Sequence, residues 1–145
     1  MTRLRAPGAV AAALTVPWLT VAAAHADTYA ELPPVPVVAS PACAGTVSGE
    51  AQVAPVQTYD RVENGVRVSI NYDAGIYDGS CSLTVTAGWS NLDTGASGSG
   101  EITAVSTIDG HYGFIGYANT MLETGSGTVL VTLSSHPGAE MLVSA

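Results

Sequence analysis

Apolar and polar residues alternate with a period of two along most of this chain, which is the signature of strands with one buried face. Val66, Val68, Ile70 and Tyr72 alternate with Arg67, Ser69 and Asn71. Cys81, Leu83, Val85, Ala87 and Trp89 alternate with Ser82, Thr84, Thr86 and Gly88, so Cys81 and Trp89 fall on the same buried face. Val129, Val131 and Leu133 repeat the pattern, and Thr46–Val53, Glu101–Ile108 and Glu140–Val143 read as further short strands. Across His111–Asn119 apolar residues occupy both faces, which predicts a central strand. Glu63-Asn64-Gly65, the loop Asp73–Ser80, the Gly/Ser run Gly95–Gly100, Asp109-Gly110, the region Thr120–Gly127 and His136-Pro137-Gly138 supply turn chemistry between the strands. No stretch carries a helical stripe with caps. About seven short, Thr-rich strands punctuated by turns predict an all-β fold, an antiparallel β-sandwich, with a small β-barrel as the alternative.

The N-terminal segment follows other rules. Arg3 and Arg5 precede an uncharged run, Ala6–Ala24, which ends in Ala24-His25-Ala26 and then Asp27. A basic start, an apolar stretch and a small-x-small site form a secretory signal peptide, with cleavage between Ala26 and Asp27. Pro17 interrupts the apolar run and no basic stop-transfer flank follows it, which disfavours a retained membrane anchor. Lipid attachment needs a cysteine directly after the apolar run, and the first cysteine is Cys43. Residues 27–42 carry Pro33, Pro34, Pro36 and Pro41 and read as an extended, polyproline-like linker. The predicted organisation is thus a signal peptide over 1–26, a Pro-rich linker over 27–42 and a sandwich over 43–145.

Charge and cysteines narrow the classes of partner. Of 145 residues, the first 26 are removed with the signal peptide, leaving 119 with two arginines, no lysine and 12 acidic residues, a formal charge of −10. A nucleic-acid backbone is held through Lys and Arg, so no nucleic-acid partner is expected. Without lysine there is no phosphate-cradling loop, and no nucleotide or other cofactor is expected. In an exported chain, Cys43 and Cys81 can form only one intramolecular disulfide, closing 38 positions.

Candidate chemistry is sparse. His111 or His136 with Asp109 and a serine could be assembled into a triad on paper, but no Gly-x-Ser-x-Gly elbow is present. Both histidines therefore read as structural, and no catalytic residue is assigned. Asp73, Asp78 and Asp93 offer hard oxygen ligands for calcium, yet Asp73–Ser80 lacks the spaced acidic ladder of a calcium loop, and no metal site is assigned.

The stretch Leu83–Gly95, with Trp89-Ser90-Asn91-Leu92-Asp93-Thr94-Gly95 at its end, and the later Gly125-Ser126-Gly127-Thr128-Val129 resemble small exported β-sandwich proteins of actinobacteria. The resemblance covers less than half of the chain and implies export and an immunoglobulin-like architecture. Trp89 follows both cysteines, so the Cys-Trp-Cys order of true immunoglobulin domains is absent. The expected function is a secreted or cell-envelope-associated, non-catalytic binding or structural module. Its partner would be a protein or an envelope component, with no stable membrane insertion after cleavage. The alternatives are a small secreted hydrolase and a secreted inhibitor of another protein. Binding is expected on the loops Tyr72–Ser80 and Ser90–Gly100, through Asp73, Tyr77, Asp78 and Asp93.

Overall fold

The computed structural model describes residues 27–76, 78–106 and 116–145. Its strands are β1 (Tyr29–Val38), β2 (Ala44–Gln57), β3 (Val62–Asp73), β4 (Ser82–Asn91), β5 (Ser97–Val105), β6 (Gly116–Leu122), β7 (Thr128–Leu133) and β8 (Met141–Ser144). They form two four-stranded sheets, β1-β2-β3-β6 and β5-β4-β7-β8, in which every ladder is antiparallel. The sheets stack as a sandwich and do not close into a barrel. Their margins do touch: Asp27 bridges Val143 of β8, and β5 lies beside β6.

The alternating residues meet in the middle. Val66, Val68, Ile70 and Tyr72 of β3 face Val85 and Ala87 of β4 together with Val129, Val131 and Leu133 of β7, all buried. Burial of apolar area at about 25 cal/mol per Å² is the main force holding the two sheets together. Cys43 and Cys81 are bonded, with their Cα atoms 5.5 Å apart. Cys43 directly precedes β2 and Cys81 directly precedes β4, so the bond ties one sheet to the other at one end of the sandwich. The hydroxyl of buried Tyr72 donates to the Cys43 carbonyl at 3.1 Å beside it.

Asn91 organises the opposite end. Its amide Nδ2 donates to the carbonyls of Thr124 (2.9 Å) and Ser126 (3.0 Å), and its Oδ1 accepts from the amides of Asp93 (3.0 Å) and Thr94 (3.1 Å). Asp93 Oδ2 in turn accepts the Thr128 amide at 2.8 Å. Gly127 fits this knot with φ at +128°, and a Cβ there would sit 2.7 Å from Asp93 Oδ2. The two segments singled out by resemblance, 89–95 and 125–129, are thereby held against each other.

Several sequence expectations are corrected. Residues 27–42 are not a linker: Tyr29–Val38 is an edge strand paired with β2, and the fold has eight described strands. An extended, proline-bearing backbone suits an edge, where a missing N–H faces outward. Pro33 and Pro34 lie at a register break between Leu32 and Val35, while Leu32 points into the core. Glu63-Asn64-Gly65 lies within β3, and the chain turns instead at Thr58–Arg61, where the Thr58 amide donates to the Arg61 carbonyl at 2.9 Å. The Gly/Ser run enters β5 at Ser97. There Gly98 lies under the Trp89 ring, and a Cβ would stand 2.9 Å from its Nε1. The strand expected to be central is, over its described part, the edge strand β6, whose Tyr117 and Met121 point to solvent. Ile108, Asp109-Gly110 and His111–Ile115 lie outside the described residues.

Breaking the inter-sheet tie is expected to be costly. In the chain-entropy account a 38-position loop contributes about 4 kcal/mol. Denaturant unfolding with and without reductant should therefore show a large drop in midpoint. A shift corresponding to under about 1 kcal/mol would mean that the inner faces alone fix the sheets.

Candidate functional site

The loop residues expected to bind do not form one site. Asp73 and Asp78 flank the loop entering β4 at the disulfide end, whereas Asp93 follows β4 at the other end. The ten residues of β4 separate them by about 30 Å. Tyr77 lies outside the described residues. The carboxylates also have local partners: Asp73 Oδ1 accepts the Gly75 amide at 3.0 Å, and Asp78 Oδ1 accepts the Ser80 amide at 2.9 Å together with the Ser80 hydroxyl. The Ser80 hydroxyl, and then its amide, hold the Asp78 carboxyl below the usual carboxylate range. Asp93 belongs to the Asn91 knot. Among the described residues no three His, Cys, Asp or Glu side chains converge, so Asp73, Asp78 and Asp93 cannot share a calcium ion.

His136 is buried in the loop between β7 and β8. Its Nε2 lies 2.8 Å from the Pro33 carbonyl, which can only accept, so Nε2 carries the proton. In the neutral ring Nδ1, 2.9 Å from Ser135 Oγ, accepts the hydroxyl proton. This arrangement pins the edge of one sheet to a loop of the other and satisfies a carbonyl that the β1 register break leaves without a ladder partner. A recess of about 350 Å³ borders the same loop over Thr86, Gly88 and Thr132, where Ser134 Oγ accepts the Thr86 amide at 2.9 Å.

The richest set of outward polar and aromatic groups lies on the solvent face of β1-β2-β3-β6. Ladder register orders it into transverse rows. Tyr29, Gln52, Arg67 and Met121 form one row, and Glu31, Glu50, Ser69 and Asn119 form the next. Ser48, Asn71 and Tyr117 follow. Tyr29 reaches forward so that its hydroxyl lies 3.1 Å from both Glu31 Oε2 and Glu50 Oε2. Tyr117 reaches back from the far edge, and its hydroxyl lies 3.0 Å from Ser69 Oγ. Ser69 is on the solvent side of the sheet yet only 1% exposed, with the Tyr117 hydroxyl seated against it. Glu50 and Ser69 are directly opposed in the β2–β3 ladder. The two phenol oxygens therefore come to rest over neighbouring positions of one row, while the residues remain 43% (Tyr29) and 53% (Tyr117) exposed. Beside Tyr29 the bulge at Pro33-Pro34 walls a cleft of about 320 Å³ that Ser48, Glu50 and Asn71 also line. Arg67 is drawn sideways, Nη2 donating to Gln52 Oε1 at 2.6 Å with Nε buried.

This face has almost no local signature in the sequence: the prolines make Tyr29 and Glu31 read as linker, and apolar residues on both faces make Tyr117 read as part of a central strand. The usable signal was the short alternation Tyr29, Glu31 against Ala30, Leu32, which the neighbouring prolines mask.

Two measurements check the geometry. The hydrogen bond to Glu31 is the largest cause, followed by desolvation and by the bond to Glu50, and together these push the Tyr29 phenol from 10.0 up to about 12. Because the folded value is the higher one, this contribution to stability is complete below pH 10 and disappears as pH rises through 12. A phenolate absorbance titration of the wild type minus Tyr29→Phe should have its midpoint near 12, and a midpoint at 10.0 would mean that the two bonds are not held in solution. Separately, His136→Ala should lower unfolding free energy by about 1–3 kcal/mol, because it removes a buried side chain together with its hydrogen bond to the Pro33 carbonyl, as read by denaturant titration.

Compared with known proteins, the chain finds no match among family models, curated proteins or solved structures, so the reading of this face rests on its own geometry.

Proposed function

We propose that this chain is an exported, non-catalytic binding module of the cell envelope or the surrounding medium, with the outer face of β1-β2-β3-β6 as its contact surface. The pinned tyrosines carry this reading. Two large rings, fixed by their hydroxyls over a row of polar side chains, form a surface ordered before any ligand arrives, which lowers the entropy lost on binding. The same side chains are borne by strands locked into a core, a more exact support than a loop.

Export is supported by the N-terminal pattern around Ala26-Asp27 and by the Cys43–Cys81 bond, which belongs to an oxidising compartment. The Asp27 carbonyl accepts the Ser144 amide at 2.9 Å, and the Thr28 carbonyl accepts the Val53 amide at 2.9 Å, so cleavage before Asp27 would leave the new N-terminus held against the sandwich.

Intact mass of the native protein from separated envelope and medium fractions tests the proposal. The expected species begins at Asp27 and resists alkylation at both cysteines until reduced. A full-length chain held in the membrane with free thiols would overturn it.

A further inference from the structure

Resting on the binding-module reading, we infer that the outer face of β1-β2-β3-β6 binds an uncharged, hydroxyl-rich glycan, lying across the strands from Tyr29 to Tyr117. The chemistry of the face selects this class. Pyranose rings present apolar C–H faces that pack on aromatic rings, and Tyr29 and Tyr117 offer half-exposed rings that reach in from opposite margins of the sheet until their hydroxyls lie over adjacent residues. Around them stand groups suited to sugar hydroxyls: the Glu31 and Glu50 carboxylates accept, while the Asn71 and Asn119 amides both donate and accept. The width from β1 to β6 is three inter-strand spacings, about 14 Å, which suits a short oligosaccharide rather than one sugar.

Charge excludes anionic polymers. Glu31 and Glu50 repel an anionic chain, and Arg67, the one cation on this face, is turned to Gln52 with its Nε buried. A nucleic acid or a polyuronate therefore lacks its counter-charge. A cationic ligand could pair with the same carboxylates, and its binding would be salt-sensitive, which separates it from a neutral glycan in the test below. A neutral hydroxyl polymer needs neither a free cation nor displacement of the phenol.

The test uses the processed chain from Asp27 to Ala145. Its binding to insoluble cellulose, chitin, mannan and xylan, and to the polycation chitosan, is measured by depletion, and the soluble hexaoses of the same sugars are titrated by calorimetry. At least one neutral glycan should bind, with little change on adding salt. Tyr29→Ala and Tyr117→Ala should each weaken that binding about tenfold, the loss of one stacked ring. Asp78→Ala, at the disulfide end, should leave it unchanged. Thermal unfolding of each variant confirms the fold, and should an alanine variant fail to fold, Asn71→Ala and Asn119→Ala take its place on the same face. Binding to none of the neutral glycans, salt-sensitive binding to chitosan alone, or neutral binding that the face variants leave intact would each overturn the inference. These outcomes are distinct from failure of export: a processed, disulfide-bonded chain that ignores glycans refutes the ligand class and leaves the exported-module reading in place.

Discussion

The Cys43–Cys81 bond is the one disulfide cross-link between the two sheets, and much of the structure can be understood from where it sits. It enters both sheets at an interior strand, β2 on one side and β4 on the other, so the tie acts near the middle of each sheet. The inner faces are built mostly of Val, Ala and Ile, whose packing is non-directional and would tolerate some sliding of one sheet over the other. A bond at one end removes that freedom there. At the opposite end the directional element is Asn91, all four of whose hydrogen-bonding positions are occupied by the turns on either side of it. One end is stapled and the other is hydrogen-bonded, and between them the apolar faces need only fill space.

Fixed inner faces fix the outer ones, because side chains alternate strictly along a strand. This is why Tyr29 and Tyr117, eighty-eight positions apart in the sequence, meet over adjacent residues of the same row. The row has a built-in conflict, since Glu31 and Glu50 are directly opposed and like charges in such pairs are destabilising. The Tyr29 phenol offsets it by donating to both carboxylates. The sheet margin is handled separately. Prolines occupy β1, which blunts it against pairing with another chain, and His136 supplies the donor that the strand's register break would otherwise lack.

How much of this was legible in the sequence depended on whether the signal was local. The strands built from Val66–Tyr72, Cys81–Trp89 and Val129–Leu133 were readable because each alternates cleanly and turns its apolar set to the core, Leu83 and Trp89 being only partly buried. The disulfide was readable because only one pairing existed. β1 was hidden because proline suggests a spacer, and only tertiary pairing turns an extended segment into a strand. The glycine-rich start of β5 was hidden likewise: its small residues make room for Trp89, a demand set by the neighbouring strand. The candidate face was the least legible part, since it depends on the register of four strands at once. The loops at the two ends of β4 carry the stronger local signal, and the connectivity of β4 places them at opposite ends of the sandwich.

Loops and face differ in what their acidic side chains are already bonded to. Asp73, Asp78 and Asp93 are the acids a sequence reader would offer to a ligand, but each accepts backbone amides of its own or a neighbouring turn. A carboxylate used in this way holds the chain's shape, and turning it toward a ligand would release those amides. Glu31, Glu50, Asn71 and Asn119 stand on strands whose backbone groups are already paired within the ladder, so their side chains are not needed to close a turn. In a domain this small, with the carboxylates of Asp73, Asp78 and Asp93 engaged in closing turns, the outer face is where polar and aromatic side chains can meet a partner without loosening the fold.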